Sequence, residues 1–574
     1  MSTETRSALP QGTERRRPSS VADVATRWAS DRRLPDALAA GAMLLSGAVL
    51  LHFLSRITFW HDEWNLLLHR RGWSVGTFLD PVVEHLVAIP ILIYKLLLEV
   101  AGMNSPVPYQ GVAVLTFLVS IALLFVYVRA RLGSWVALAA ILPILFMGPS
   151  WDDLLFPYQM TWFGSVACGI AVLLCLERET RNWDIAATLL LVGGLLFSDA
   201  GIPFVAGAAV EIALSPRRRA RAFVPVVPTV LWALWYLGWG HTADTFISFE
   251  NVANLPSYVL DGLSSSLSVY LGLTPPLGAT DATTLAWGRP LLLLLVALGV
   301  WRVVQLRRPP DRLLAVLAIL VGYWSLTALN ASPLGPPTAG RYQYLGVVGL
   351  ALVAAELWRK ARIGPWITTG LVAVAVMASL SNYTRLRDAA HGLAGIAQQT
   401  RGGLAALELA RDRVDPGLEL TPQNSDVDYL GLMDAGSYLS AVDAFGSPAY
   451  TPAELSSAPE PARVAADKVS GAALGIRLVA TNRGGGLRCQ TVDAGSGPTA
   501  SVPPAGLLIR AQDGGVIAGI RRYSRASFPL SFGRLSPGQP EVLRIPPDRS
   551  VVPWTLQLTG AGEATVCPAE APAP

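Results

Sequence analysis

Residues 84–101 read EHLVAIPILIYKLLLEVA, and whether this stretch crosses a membrane decides how the whole chain is threaded. It is apolar, yet it carries Glu84, His85, Lys95 and Glu99, with Pro90 early in the run. A charge at mid-bilayer costs about 2.5–3.5 kcal/mol on insertion scales. As a span it would put Arg129 and Arg131 outside and invert every basic cluster after them. As an outer juxtamembrane helix lying in the interface, it leaves each cluster inside, as the positive-inside bias requires. The second reading is adopted.

Around this stretch, from about Leu34 to Ser381, apolar runs recur near the roughly 20 residues that span a bilayer. About eleven spans are expected: 36–56, 108–128, 133–148, 157–176, 184–198, 202–215, 222–239, 289–306, 311–329, 342–358 and 365–381. The inner clusters are then Arg15/Arg16/Arg17, Arg32/Arg33, Arg129/Arg131, Arg178/Arg181, Arg217/Arg218/Arg219/Arg221, Arg302/Arg307/Arg308/Arg312 and Arg359/Lys360/Arg362. The runs 184–198 and 202–215 are short and joined by Ser198-Asp199-Ala200-Gly201. A broken hairpin dipping in from one side is the alternative there, and it preserves parity.

The expected organisation is a cytoplasmic tail (1–34), a transmembrane domain (35–381) and an extracytoplasmic C-terminal domain (382–574). The outer loops are 57–107, 149–156, 240–288 and 330–341, and Leu255 to Leu271 within the third is amphipathic and expected along the interface. The fold class is thus a polytopic α-helical membrane protein with a C-terminal α+β or β-sandwich domain. The Arg-, Ser- and Pro-rich start reads as a tail and not a signal peptide, because the run after it is long enough to span and lacks a cleavage site.

Over 574 residues the net charge is only +4, and no basic stripe interleaves with aromatics, which argues against a nucleic-acid partner. Lys95, Lys360 and Lys468 are the only lysines. Cys168 and Cys175 lie in one apolar run and read as small core residues, whereas Cys489 and Cys567 lie in the hydrophilic tail, where an extracytoplasmic setting permits a disulfide. No CxxC or HExxH spacing is present.

Chemistry-bearing residues gather on the outer side. Phe59-Trp60-His61-Asp62-Glu63-Trp64 follows the first span directly. Partial desolvation at headgroup depth and an adjacent like charge both raise a carboxyl pKa towards general-base use, so Asp62 and Glu63 are the catalytic candidates, with either as the base. The plain alternative is a wet helix N-terminus. Gly340-Arg341-Tyr342-Gln343-Tyr344 opens a late span, where Arg341 offers a bidentate fork to a lipid phosphate or else snorkels. Trp151-Asp152-Asp153 is a second acidic pair. With His61 it is a candidate for acceptor binding or for a divalent cation (Ca, Mg or Mn), with a solvated turn as the alternative. Asp199 and Glu250 are weaker candidates, and His241 reads as structural.

Read whole, the loop resembles the GT-C glycosyltransferases: Asp62-Glu63 after the first span, then His85, Pro90 and Tyr94, an amphipathic helix, and a second span ending in arginine. These polytopic enzymes use polyprenyl-phosphate sugars and include relatives of the protein O-mannosyltransferases and aminoarabinose transferases. Their adjacent His-Pro is here spread over His85-Leu86-Val87-Ala88-Ile89-Pro90. The resemblance covers about 36–381 and implies an inverting transfer of a hexose or pentose, arabinose or mannose first among the guesses. The donor is a polyprenyl-phosphate sugar and the acceptor a cell-envelope glycan or protein. It further implies that Arg341, Tyr342 and His85 bind the donor phosphate.

In the tail, Tyr383 to about Val414 reads as an amphipathic helix and 426–469 carries mixed signals. From Leu474 to Val566 short alternating runs punctuated by Gly and Pro read as an antiparallel β-sandwich, which Cys489 and Cys567 bracket. Glycan binding by this tail and a purely structural role stand equally open. The rivals to an enzyme are a lipid-sugar flippase or transporter, which ordinarily shows repeats and mid-membrane charges, and a non-catalytic envelope scaffold.

Overall fold

Each of the eleven apolar runs is helical in the computed structural model, which describes residues 33–275, 281–307, 309–331, 335–421, 433–482, 488–497, 499–525 and 528–569. Arg15, Arg16, Arg17, Arg32, Arg308 and the stretch 426–432 of the expected mixed region lie outside those residues. Seven described helices are long and apolar enough to cross a membrane, and an eighth results if Ser134–Leu145 and Gly148–Leu154, bent by 49°, form one broken span. Arg181–Phe197, Ile202–Ala213 and Gln343–Leu357 have 17, 12 and 15 residues and fall short of a span by length. Residues 84–101 yield a helix of only 14 residues, Ala88–Ala101, about 21 Å long at 1.5 Å per residue.

The helices alternate between two chemically distinct ends. At one end Arg131 binds both Glu356 and Glu177, Arg312 binds Glu177 and Glu211, and Tyr127 donates to Glu356 at 2.6 Å. Arg221 grips Asp184 through Nε and Nη2 at 2.7–3.1 Å. These residues come from the ends of six bundle helices and the turn before a seventh, so the basic clusters that hydropathy places on one side do meet at one end. The pairing neutralises charge that burial would otherwise penalise. Gly133, at φ 88°, reverses the chain there between Val107–Leu132 and Ser134–Leu145, a conformation few side chains tolerate.

At the opposite end lie the acidic turns. The hairpin Arg181–Phe197/Ile202–Ala213 runs the full distance: its Asp184 and Glu211 join the arginine end, and its Asp199 reaches His85 at 3.3 Å. It therefore does not dip in from one side only. Helix Phe249–Tyr270 lies between two points of this acidic end. Its start is tied to Leu329 and Ala331 through Asn251, and Val269 near its finish is tied to Asn382.

The helix Pro365–Leu409 runs 45 residues without a break, across the 381/382 boundary, and carries the C-terminal part of the chain. Glu460–Ala473 packs along it, close enough that the Gly402 Cα faces the Ala462 carbonyl with no room for a side chain. Beyond it, among the described residues, nine strands follow: β1 Arg477–Ala480, β2 Gln490–Asp493, β3 Thr499–Ser501, β4 Leu507–Ala511, β5 Val516–Arg521, β6 Leu530–Arg534, β7 Pro540–Arg544, β8 Thr555–Gly560 and β9 Glu563–Pro568. They form two antiparallel sheets, β1-β7-β4-β9-β2 and β3-β8-β5-β6. Ile509 and Leu543 of one meet Ile520, Leu556 and Leu558 of the other in a shared core, which is a sandwich. Cys489 and Cys567 are disulfide-bonded as expected.

Candidate functional site

The first acidic turn is built from its own backbone. His61 takes φ 45°, an unusual value for a residue with a Cβ, and this bend starts the helix Asp62–His69. Glu63 folds back to accept the Trp60 amide at 3.0 Å and the Tyr94 hydroxyl at 2.7 Å. It is fully buried, and burial outweighs both hydrogen bonds, pushing its pKa from 4.5 up to about 8. Asp62 points elsewhere. It is 18% exposed, and its Oδ1 lies 2.8 Å from His61 Nδ1. Of the two carboxylates only Asp62 is open to a substrate.

Against this turn stands a second acidic group. A tight bridge between Val82 and His85 presents the His85 ring, whose Nδ1 lies 3.3 Å from Asp199 and whose Nε2 lies 3.5 Å from Glu84. Burial works to lower the His85 pKa, but the Asp199 hydrogen bond and the charges of Glu84, Asp199 and Asp62 together raise it. Glu84 also accepts from Asn330 at 3.0 Å, and Asp199 from the Trp232 indole at 3.1 Å. Tyr158, buried with no hydrogen-bond partner for its hydroxyl, lies within electrostatic range of Asp62, Glu84 and Asp199.

The second acidic turn adjoins the first. The rings of Trp60 and Trp151 are 6.3 Å apart, and Trp151 precedes Asp152 and Asp153. Gly340 lies directly on this turn: a Cβ there would stand 2.6 Å from the Asp152 carboxylate and 2.2 Å from the Pro149 carbonyl. Only glycine lets Arg341 come so near, and the guanidinium interacts with both Asp152 and Asp153. Asp153 is fully buried, with the Tyr344 amide nearby but neither oxygen in hydrogen-bonding geometry. The Arg341 guanidinium sits 5.1 Å from the Tyr342 ring, which stacks on Trp162 at 6.2 Å.

Asp62, Glu63, His61, Asp152, Asp153, Arg341 and Tyr342 thus lie at one end of the bundle. His85, grouped with Arg341 and Tyr342 as a donor-phosphate residue, has the acids Asp199 and Glu84 within 3.5 Å. Asp199, ranked low from the sequence, is central. Its one signal is a charge interrupting an apolar run. Tyr158, Asn330 and Trp232 carry no such signal, while Glu84 carries it and reads from the sequence only as evidence against a span at 84–101. Glu250 is exposed in a first helical turn, and His241 contacts the Tyr236 carbonyl at 3.3 Å. Among the described residues no group of three or more His, Cys, Asp or Glu is arranged to hold a metal ion.

A narrow crevice of about 10 Å³, room for about one water, lies beside the first turn, lined by Thr58, Trp60 and His61 and by Ile396 and Thr400 of the long helix. The Thr58 hydroxyl is buried there without a hydrogen bond.

No protein-family model matches the sequence, and no curated protein matches it. Two solved structures are similar in outline. One is ArnT from Cupriavidus metallidurans in the apo state, with 13% identity over 73% of this chain and 85% of that one, at a TM-score of 0.45. The other is the same protein bound to undecaprenyl phosphate, with 12% identity over 74% and 90% and a TM-score of 0.43.

Proposed function

We propose that this chain is a membrane glycosyltransferase that moves a sugar from a polyprenyl-phosphate donor to a hydroxyl of a cell-envelope acceptor, with inversion. The single observation that carries the reading is the Trp60–Trp151 contact, which joins the Asp62 turn to the turn that seats Arg341. A base and a phosphate-binding cation, distant in sequence, share one face.

Asp62 takes the acceptor O–H proton, the freed oxygen attacks the anomeric carbon, and the bond from that carbon to the phosphate oxygen breaks. The electron pair leaves on the lipid phosphate, where Arg341 meets the developing charge. Asp152 and Asp153 orient Arg341, Glu63 holds the turn that aims Asp62, and His85 with Asp199 binds sugar hydroxyls. The arginine-rich end faces the cytoplasm with the tail 1–34, and 382–574 lies outside.

Replacement of Asp62 by Asn, assayed for transfer from a polyprenyl-phosphate sugar in membranes, is expected to cut the rate at least about 100-fold at unchanged expression. Arg341→Gln is expected to cost a comparable factor. Transfer that survives Asp62→Asn removes the carboxylate from the reaction. Movement of the lipid-sugar across vesicles without any acceptor would instead favour a flippase.

A further inference from the structure

Far from the acidic turns, at the arginine end, an open groove of about 310 Å³ separates Ile202–Ala213 from Phe223–Gly238. Its floor is apolar, made by Ala209, Ile212, Pro225 and Val226, and its rim carries Arg218 and Arg219. The neighbouring cations are engaged: Arg221 is bound to Asp184, and Arg217 donates to the Glu179 carbonyl at 3.3 Å. The nearby acid is engaged too, since Glu211 is held by Arg312. The Arg218 and Arg219 side chains are exposed and make no hydrogen bond or ion pair with any described residue.

Arg312 holds Glu211 at this end of the bundle, so the turn that follows Ile202–Ala213 stands level with the other basic turns. At the rim of an apolar groove, two guanidinium groups without a protein partner call for an anion.

We infer that this groove binds one anionic phospholipid, the phosphate on Arg218 and Arg219 and an acyl chain along the apolar floor. A soluble phosphate would satisfy the arginines but leave the floor uncovered. A zwitterionic lipid would cover the floor but bring a cation to a cationic rim. The inference is independent of the transferase reading.

The test uses the full-length chain in detergent, with native mass spectrometry to count retained lipid and thermal unfolding to read its effect. Phosphatidylglycerol, phosphatidylcholine and inorganic phosphate are compared. The wild type is expected to retain phosphatidylglycerol and to unfold at higher temperature with it. Arg218→Gln/Arg219→Gln is expected to lower retention at least about tenfold. Arg362→Gln, which removes an exposed charge from another basic cluster, is expected to leave it unchanged. Ala209→Trp, which fills the floor and keeps both arginines, is expected to reduce it as well. The inference is overturned by undiminished retention in the double variant, by equal stabilisation from phosphatidylcholine or inorganic phosphate, or by equal loss in Arg362→Gln.

Discussion

Glu63 and Asp62 are adjacent in sequence and opposite in environment. The first is sealed under Tyr94 and the Trp60 amide, and the second is open beside His61. A raised carboxyl pKa means that the folded chain holds its proton more tightly than the unfolded chain does. Stability linked to Glu63 is therefore complete below about 4.5 and is lost as pH rises towards about 8. Between those values thermal or denaturant unfolding is expected to show stability falling by up to about 1.4 kcal/mol per pH unit. Glu63→Gln, a neutral near-isostere, is expected to flatten that slope and keep the turn. Glu63→Ala is expected to cost about 1–3 kcal/mol, because it strands the Tyr94 hydroxyl and the Trp60 amide. A slope unchanged in Glu63→Gln would assign the pH dependence to another group.

Among the elements, the edge strand β2 depends most on a covalent tie. Among the described strands it pairs only with β9, and Cys489 immediately before it is bonded to Cys567 within β9, closing a sequence separation of 78 residues. In the chain-entropy account a loop of that length is worth roughly 4 kcal/mol. Cys489→Ser or Cys567→Ser is expected to lower the unfolding temperature of the sandwich and to speed hydrogen exchange in β2, while the apolar bundle is untouched. Reducing agent is expected to reproduce the effect in the wild type but not in either variant. Equal protection of β2 with and without the bond would show that the β2–β9 ladder suffices.

For the whole molecule, the C-terminal part and the acidic turn share one core. Trp64 meets Tyr438 at 6.1 Å, Arg71 reaches Ser440, and the Met103 amide donates to the Phe445 carbonyl at 2.8 Å. Residues 59–113 and 404–474 contribute to a single buried cluster. Truncation after Leu409 is thus expected to free the first outer loop as well as remove a tail. Limited proteolysis is expected to cut within 66–104, and transfer is expected to be lost even though Asp62 and Arg341 remain. A truncated chain with a protease-resistant loop and full activity would show that the bundle alone holds the site.

Most of the helices were legible because a bilayer imposes a length and a hydropathy that residues 34–381 state directly. The charges on 84–101 spoke against a span, and the helix there is 14 residues long. The disulfide and the sandwich were legible for similar local reasons: spacing, alternation and turn residues. The length criterion met by only seven or eight described helices was less so, because packing lets short runs such as Ile202–Ala213 sit among longer neighbours. The site divided in the same way. Asp62, Arg341 and Asp152 announced themselves as charges beside apolar runs. Which carboxylate is sealed depended on Tyr94, 31 residues along the chain, and that Asp199 meets His85 depended on segments 114 residues apart. A sequence displays the charge of a side chain; its burial and its partner are properties of the fold.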